Sequence, residues 1–289
     1  MGASERGQAV IKVVLAAFLN GAIPILGKLA YQEGLSVLTL LSLRFIIAAL
    51  FVLFYDKIFV KIEKVDFKNM IFMFGLGFIG YTLGPFTFFK ALEYTSAFIV
   101  EIIFYTYPAL VLLFVALLFK EKITRDDIAA LTLALAGLLM IFSNARSDWK
   151  VEVFGTLFAL IASLCYAIFN VASQKMLNRF KPNTITAYSL LSAAIYYSPF
   201  LFCYDFNLTI HGVVIVAFLA ILATFLPLIL YLSGMEALGA SKASIISTIE
   251  PVFTLILATL ILKEILGFHQ LMGGFMILTS IVLLSIRKK

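Results

Sequence analysis

Ala91-Leu92-Glu93-Tyr94-Thr95-Ser96-Ala97 returns as Ala237-Leu238-Gly239-Ala240-Ser241-Lys242-Ala243, 146 residues further along the chain. The first copy runs on to Tyr107-Pro108 and Phe119-Lys120-Glu121, and the second to Glu250-Pro251 and Leu262-Lys263-Glu264. At these later markers the offset is 143, so three residues are missing between the two sets. Upstream, Gly21-Ala22-Ile23-Pro24 to Lys28 lines up with Ala167-Ile168-Phe169-Asn170 to Gln174, again 146 apart. Similarity at one long period over most of a chain marks a duplication, and it divides this chain into halves at 9–143 and 153–286.

What each half contains follows from composition. Of 289 residues, 63% are hydrophobic and 13% charged, with 29 Phe and a mean hydropathy of +1.07. Soluble domains carry roughly 45–50% apolar and about 25% charged residues, so a water-soluble enzyme is excluded. Charges, Gly, Pro and Asn cut the chain into ten apolar runs near 9–31, 36–55, 68–89, 96–119, 126–143, 153–175, 183–204, 212–233, 242–262 and 267–286. A membrane helix needs about 20 such residues and a barrel strand about 10 with alternating polarity. Continuous runs therefore predict an all-α integral membrane protein of ten transmembrane helices. The run 10–31 is too long for a signal core and is read as a retained helix.

Lys and Arg set the orientation, because cytoplasmic loops hold them in excess. With the N-terminus inside, sixteen of the 22 fall on the inner side and only Lys90, Arg146, Lys150 and Lys263 on the outer, leaving Lys28 and Arg44 in spans. Ten spans then place both termini in the cytoplasm. Five is odd, so the second half starts from the opposite side and the repeats are inverted. Inverted repeats are a physical route to alternating access, which favours a secondary carrier. The net charge of +6 lies between apolar runs instead of along one polar face, so nucleic acid is not an expected partner.

The motif Ala-Leu-x-x-Thr/Ser-x-Ala, the proline within the following span and the closing Lys-Glu, each present once per half, resemble the EamA-type ten-helix carriers of the drug/metabolite transporter superfamily. The likeness covers roughly residues 10–286. It implies export or facilitated movement of small metabolites, such as amino acids and their derivatives, across the inner membrane of a prokaryote.

Polar groups within spans are candidates for the substrate pathway, since an ionisable side chain in hydrocarbon is costly. Arg44 and Glu250 each lie eight residues into a span, near mid-membrane at 1.5 Å per residue. Either they face a cavity, Arg44 toward an anion and Glu250 toward a proton or ammonium, or they neutralise each other. Glu101 and Tyr105 share a face one turn apart, suited to proton coupling, to an amine or to a wet outer vestibule. Asn20, Asn170 and Gln174 open the two halves, and amides there bind a ligand or a neighbouring helix. Tyr166, Thr224 and Tyr231 are added for their polarity. Pro108 and Pro251 remove a helical hydrogen bond at matching places and are read as hinges. Lys28 is expected to snorkel, and Gly75, Gly77, Gly80 and Gly84 to permit close packing.

Other chemistry lacks material. No G-x-x-x-x-G-K-[ST] loop is present, His211 and His269 fall at segment ends, and Cys165 and Cys203 sit in apolar runs. No cofactor, metal or catalytic group is expected. The reading is a secondary transporter exporting a small metabolite, with protons as a candidate coupling ion, the lipid bilayer as its medium, and a monomer or homodimer as its assembly. A passive facilitator, a gated channel and a non-transporting sensor stand as alternatives.

Overall fold

A computed structural model describes residues 3–58, 62–95, 97–142, 152–202, 209–262 and 267–286. Ser96, Cys203, the second Lys-Glu at Lys263-Glu264 and the side chain of Lys28 lie outside the described residues. Ten helical rods match the ten apolar runs, and the protein is an all-helical membrane protein. Seven rods are long and apolar enough to cross a bilayer on those grounds alone: Ser4–Gln32, Val37–Asp56, Phe67–Tyr94, Ile99–Phe119, Val153–Leu177, Ile210–Leu238 and Ala240–Ile261. The fifth, Arg125–Phe142, carries three charges in its first turn. The seventh is a 16-residue helix, Pro182–Tyr197, prolonged by the 3-10 turn Ser198–Phe202. The tenth is Phe268–Ile286.

Several rods begin where a side chain caps the free amides of a first turn. Asp66 accepts from the Asn69 backbone N–H and Thr209 from that of Gly212, at 2.9 Å. Thr124 and Asp127 cap reciprocally, each side chain accepting from the other's backbone N–H. Between the eighth and ninth rods the chain reverses at Gly239, whose φ of +82° a residue with a Cβ adopts only under strain.

Five rods are interrupted where the sequence suggests continuous helices. The first consists of Ala3–Asn20 and Ile23–Gln32, the fourth of Ala97–Phe104 and Tyr107–Phe119, and the ninth of Ala240–Ser247 and Glu250–Leu262. The third and eighth pass through π-helical segments, Phe78–Leu83 and Ile221–Phe225. Pro108 and Pro251 are therefore the second residues of new helices, where proline fits without loss, and not kinks inside continuous ones.

These irregularities obey the duplication. The two π segments correspond, and each is followed by a proline, Pro85 or Pro227. The breaks before Tyr107 and Glu250 also correspond, with Thr106 Oγ1 donating to Ile103 O and Thr248 Oγ1 to Ile245 O, both at 2.6 Å. The first rod is the exception. It breaks ahead of Pro24, whereas the sixth, Val153–Leu177, holds Asn170 at the equivalent place and remains unbroken.

Packing joins one half to the other. The first rod lies against the eighth, the third against the sixth, the second against the seventh and the fifth against the tenth. Small residues bring some of these backbones into contact. A Cβ on Gly137 would stand 2.6 Å from Gly273 O, and one on Gly273 would collide with Gly137 O in return. Gly77 and Gly80 are equally tight, against Ser189 and Phe169, while Gly75 faces open space. Gly137→Ala is expected to cost about 1–3 kcal/mol through overpacking and Gly75→Ala nothing measurable. Thermal unfolding of the two variants in the same detergent checks the contrast.

Candidate functional site

A cavity of about 330 Å³ lies between the halves, lined from the first, second, third, fourth, sixth, eighth and ninth rods. Eight of the sequence-derived candidates line it: Asn20, Arg44, Glu101, Tyr105, Tyr166, Thr224, Tyr231 and Glu250. The irregular stretches account for this convergence. The break after Asn20 lets Ile23, Pro24, Gly27 and Tyr31 form one wall, the break after Phe104 turns Tyr105 and Tyr107 inward, and Glu250 begins the helix after the third break.

Arg44 is 7% exposed and committed to protein. Its Nε donates to Thr224 Oγ1 at 2.6 Å, its Nη2 donates to Ala223 O at 3.0 Å, and its guanidinium carbon lies 5.4 Å from the Phe45 ring centroid. Thr224 Oγ1 in turn donates to Leu219 O, five residues back, at 2.8 Å. A π segment displaces carbonyls from their usual donors, and here the second rod of the first half meets those of the eighth. The corresponding service runs the other way: Tyr197, at the end of the seventh rod, donates to Thr82 O in the first half's π segment at 2.8 Å. At the break in the first rod, Gly21 O accepts from Thr254 of the ninth rod at 3.1 Å.

Glu250 lies within the electrostatic reach of Arg44 and of Glu101, with the Asn20 side chain against its carboxylate. Arg44 and Glu250 do not form an ion pair, unlike Lys90 and Glu93, which meet at 2.5 Å. Nor does the Glu101 carboxylate meet a hydrogen-bond donor or a cation among them.

The cavity occupies the part of the bundle away from the N-terminus, lined in the first rod from Asn20 to Tyr31 and in the fourth from Glu101 to Tyr107. On the other side it is sealed. Tyr107 and Ser247 hydroxyls hydrogen-bond at 2.6 Å across the fourth and ninth rods. Tyr231 donates to Asn170 Oδ1, and the Asn170 amide donates to Tyr166 O at 2.7 Å. Further along, Gln174 accepts from Ala240 N at 2.6 Å and donates to Glu121 at 2.9 Å, tying the loop after the fourth rod to the sixth and ninth rods.

Asn170 and Gln174 thus lie off the cavity, in the seal. Pro108 and Pro251 also lie outside the lining, one residue beyond Tyr107 and Glu250. Sequence reasoning omitted Tyr31, Tyr81 and Tyr107 and the phenylalanines Phe45, Phe88, Phe89 and Phe104, which line it too. Only Tyr107 carried a signal, since it stands where the second half has Glu250.

The EamA-like transporter family model matches residues 7–143 and again 153–286, nearly the whole chain. The chain belongs to the EamA-like transporter family. It is a membrane transporter and not an enzyme. The uncharacterized inner membrane transporter YicL of Salmonella typhimurium is 22% identical over 298 residues, covering 99% of this chain and 97% of YicL. An uncharacterized transporter of Archaeoglobus fulgidus is 24% identical over 259 residues, with 88% and 90% covered. The uncharacterized transporter YcbK of Bacillus subtilis is 27% identical over 214 residues, with 69% and 67% covered. A solved crystal structure superposes with a TM-score of 0.82 at 18% identity over 96% of each chain, a likeness of fold.

In this EamA-like protein, Arg44→Lys retains the charge but loses the planar fork that reaches both Thr224 and Ala223. Leaving one of these buried groups unmet costs about 1–3 kcal/mol. A lower unfolding temperature for Arg44→Lys, with Lys90→Arg at the wild-type value, is the expected result of parallel thermal melts.

Proposed function

We propose that this chain is a secondary carrier that exports a small metabolite, such as an amino acid or a derivative, by alternating access between two inverted five-helix repeats, 9–143 and 153–286, with proton coupling. It resides in the inner membrane of a prokaryote with both termini in the cytoplasm, in keeping with the description of YicL as an inner membrane transporter and with the distribution of Lys and Arg. In that orientation the cavity faces outward, and the seal from Tyr107 to Gln174 faces the cytoplasm.

The observation that supports this reading is the cavity between the halves, about 330 Å³, lined by Arg44, Glu101 and Glu250, with hydrogen bonds across the halves on one side of it. A site of this size is at the lower end for small-molecule pockets, roughly 300–1,000 Å³. A carrier has such a site, reached from one side at a time. Export then requires the seal to part and the outer walls to close, with motion concentrated at the breaks before Pro24, Pro108 and Pro251. Glu250, in electrostatic contact with a second acid and a base, is the group assigned to the proton. A passive facilitator is the second reading, favoured by the bonds that engage Arg44 with protein.

Reconstitution in liposomes decides between them. Counterflow of a labelled amino acid mixture that saturates, and accelerates under an imposed pH gradient, is expected. Glu250→Gln abolishes the pH-driven component and spares exchange. Saturable counterflow indifferent to pH assigns a facilitator, and flux that rises linearly with concentration assigns a channel. Binding without flux assigns a sensor.

A further inference from the structure

The charges around the cavity do not balance. Two carboxylates, Glu101 and Glu250, face one guanidinium, and that guanidinium already donates to Thr224 and Ala223. A ligand carboxylate would have to compete with these bonds or share Arg44 with them. Glu250 has Asn20 and the field of Arg44. Glu101 has neither a donor nor a cation beside it among the described residues, although it lines the cavity. A carboxylate facing a membrane-buried cavity without partners is costly; a proton relieves it, and so does a ligand that brings positive charge and N–H groups.

The walls beside Glu101 suit the same ligand. Phe104, three residues on, ends the helix Ala97–Phe104, and Tyr105 follows at the break; both line the cavity. Phe104 stands at the centre of a set of rings, with centroids 5.2 Å from Phe88, 5.5 Å from Tyr107 and 5.6 Å from Tyr166. Ring faces attract a cation through their quadrupole and hold an apolar body by burial. At about 330 Å³ the cavity has room for a body of one to two rings.

We propose that the cavity binds a primary amine carrying an aromatic or apolar body, the ammonium donating to Glu101 and the body lying among Phe88, Phe104 and Tyr166, with no ligand carboxylate required. This rests on the carrier reading and narrows its substrate to amines, of which decarboxylated amino acids are the simplest form.

The test compares two probes that differ by one carboxylate. Tritiated 2-phenylethylamine and phenylalanine are bound to the purified full-length protein in nanodiscs. The amine is expected to bind saturably and at least about tenfold more tightly than phenylalanine. Glu101→Gln is expected to weaken the amine by at least about tenfold, the order of one charge-assisted hydrogen bond. Glu101→Asp retains part of the affinity. Glu93→Gln, which removes an exposed acid paired with Lys90, leaves it unchanged. Matched melting curves for Glu101→Gln and wild type verify that the variant is folded. Phenylalanine binding as tightly as the amine, no amine binding at all, or amine affinity within about twofold of wild type in Glu101→Gln overturns the proposal. Counterflow in liposomes separates its failure from that of the carrier reading: amine bound without counterflow sinks the carrier and keeps the site, and amino acid counterflow untouched by amine or by Glu101→Gln does the reverse.

Discussion

Within hydrocarbon, a backbone carbonyl that loses its helical donor has no water to turn to, and non-helical backbone survives there only where protein or a wet cavity receives it. The first, third, fourth, eighth and ninth rods all free such groups, and the half-to-half hydrogen bonds are the response. Arg44 reaches Ala223 O, Tyr197 reaches Thr82 O and Thr254 reaches Gly21 O, each from the opposite half. The breaks create the cavity by turning side chains away from the regular helical face, and the cross-half donors make the breaks tolerable. Cavity and interface are in this sense one construction.

The same constraint gives several polar residues two aspects at once. Arg44 borders the cavity and also holds a π segment, so a ligand anion at that point meets a group with other obligations. Tyr107 borders the cavity with its ring and closes the far side with its hydroxyl. Tyr231 and Asn170 divide the roles: one lines, the other locks. Cavity lining and closure are joined through shared side chains, which is the coupling the proposed carrier requires.

Ten spans, their duplication and the family were legible because each depends on length, hydropathy or recurring residues. Eight polar candidates were found by a single rule, that polarity inside an apolar run needs a reason. The rule did not separate lining from locking, because Asn170 and Gln174 satisfy it as well as Asn20 does, and only the third dimension shows which way an amide points. It also passed over the rings: Phe88 and Phe104 are indistinguishable in sequence from lipid-facing phenylalanines. The π segments left no mark beyond the prolines that follow them, since Phe78–Leu83 and Ile221–Phe225 have ordinary helical composition. The broken first rod was hidden by its own similarity to the sixth, where Asn170 replaces Pro24 and the helix continues.

The bond from Tyr197 to Thr82 spans 115 residues. During synthesis the third rod enters the bilayer long before the seventh is made, and for that interval its irregular segment lacks the partner it will have in the finished protein. That hydrogen bond becomes available to Thr82 only once the seventh rod is in place. A contact that steadies an early segment of the chain is thus supplied by a late one, and the order of synthesis becomes part of how the duplicated halves fit together.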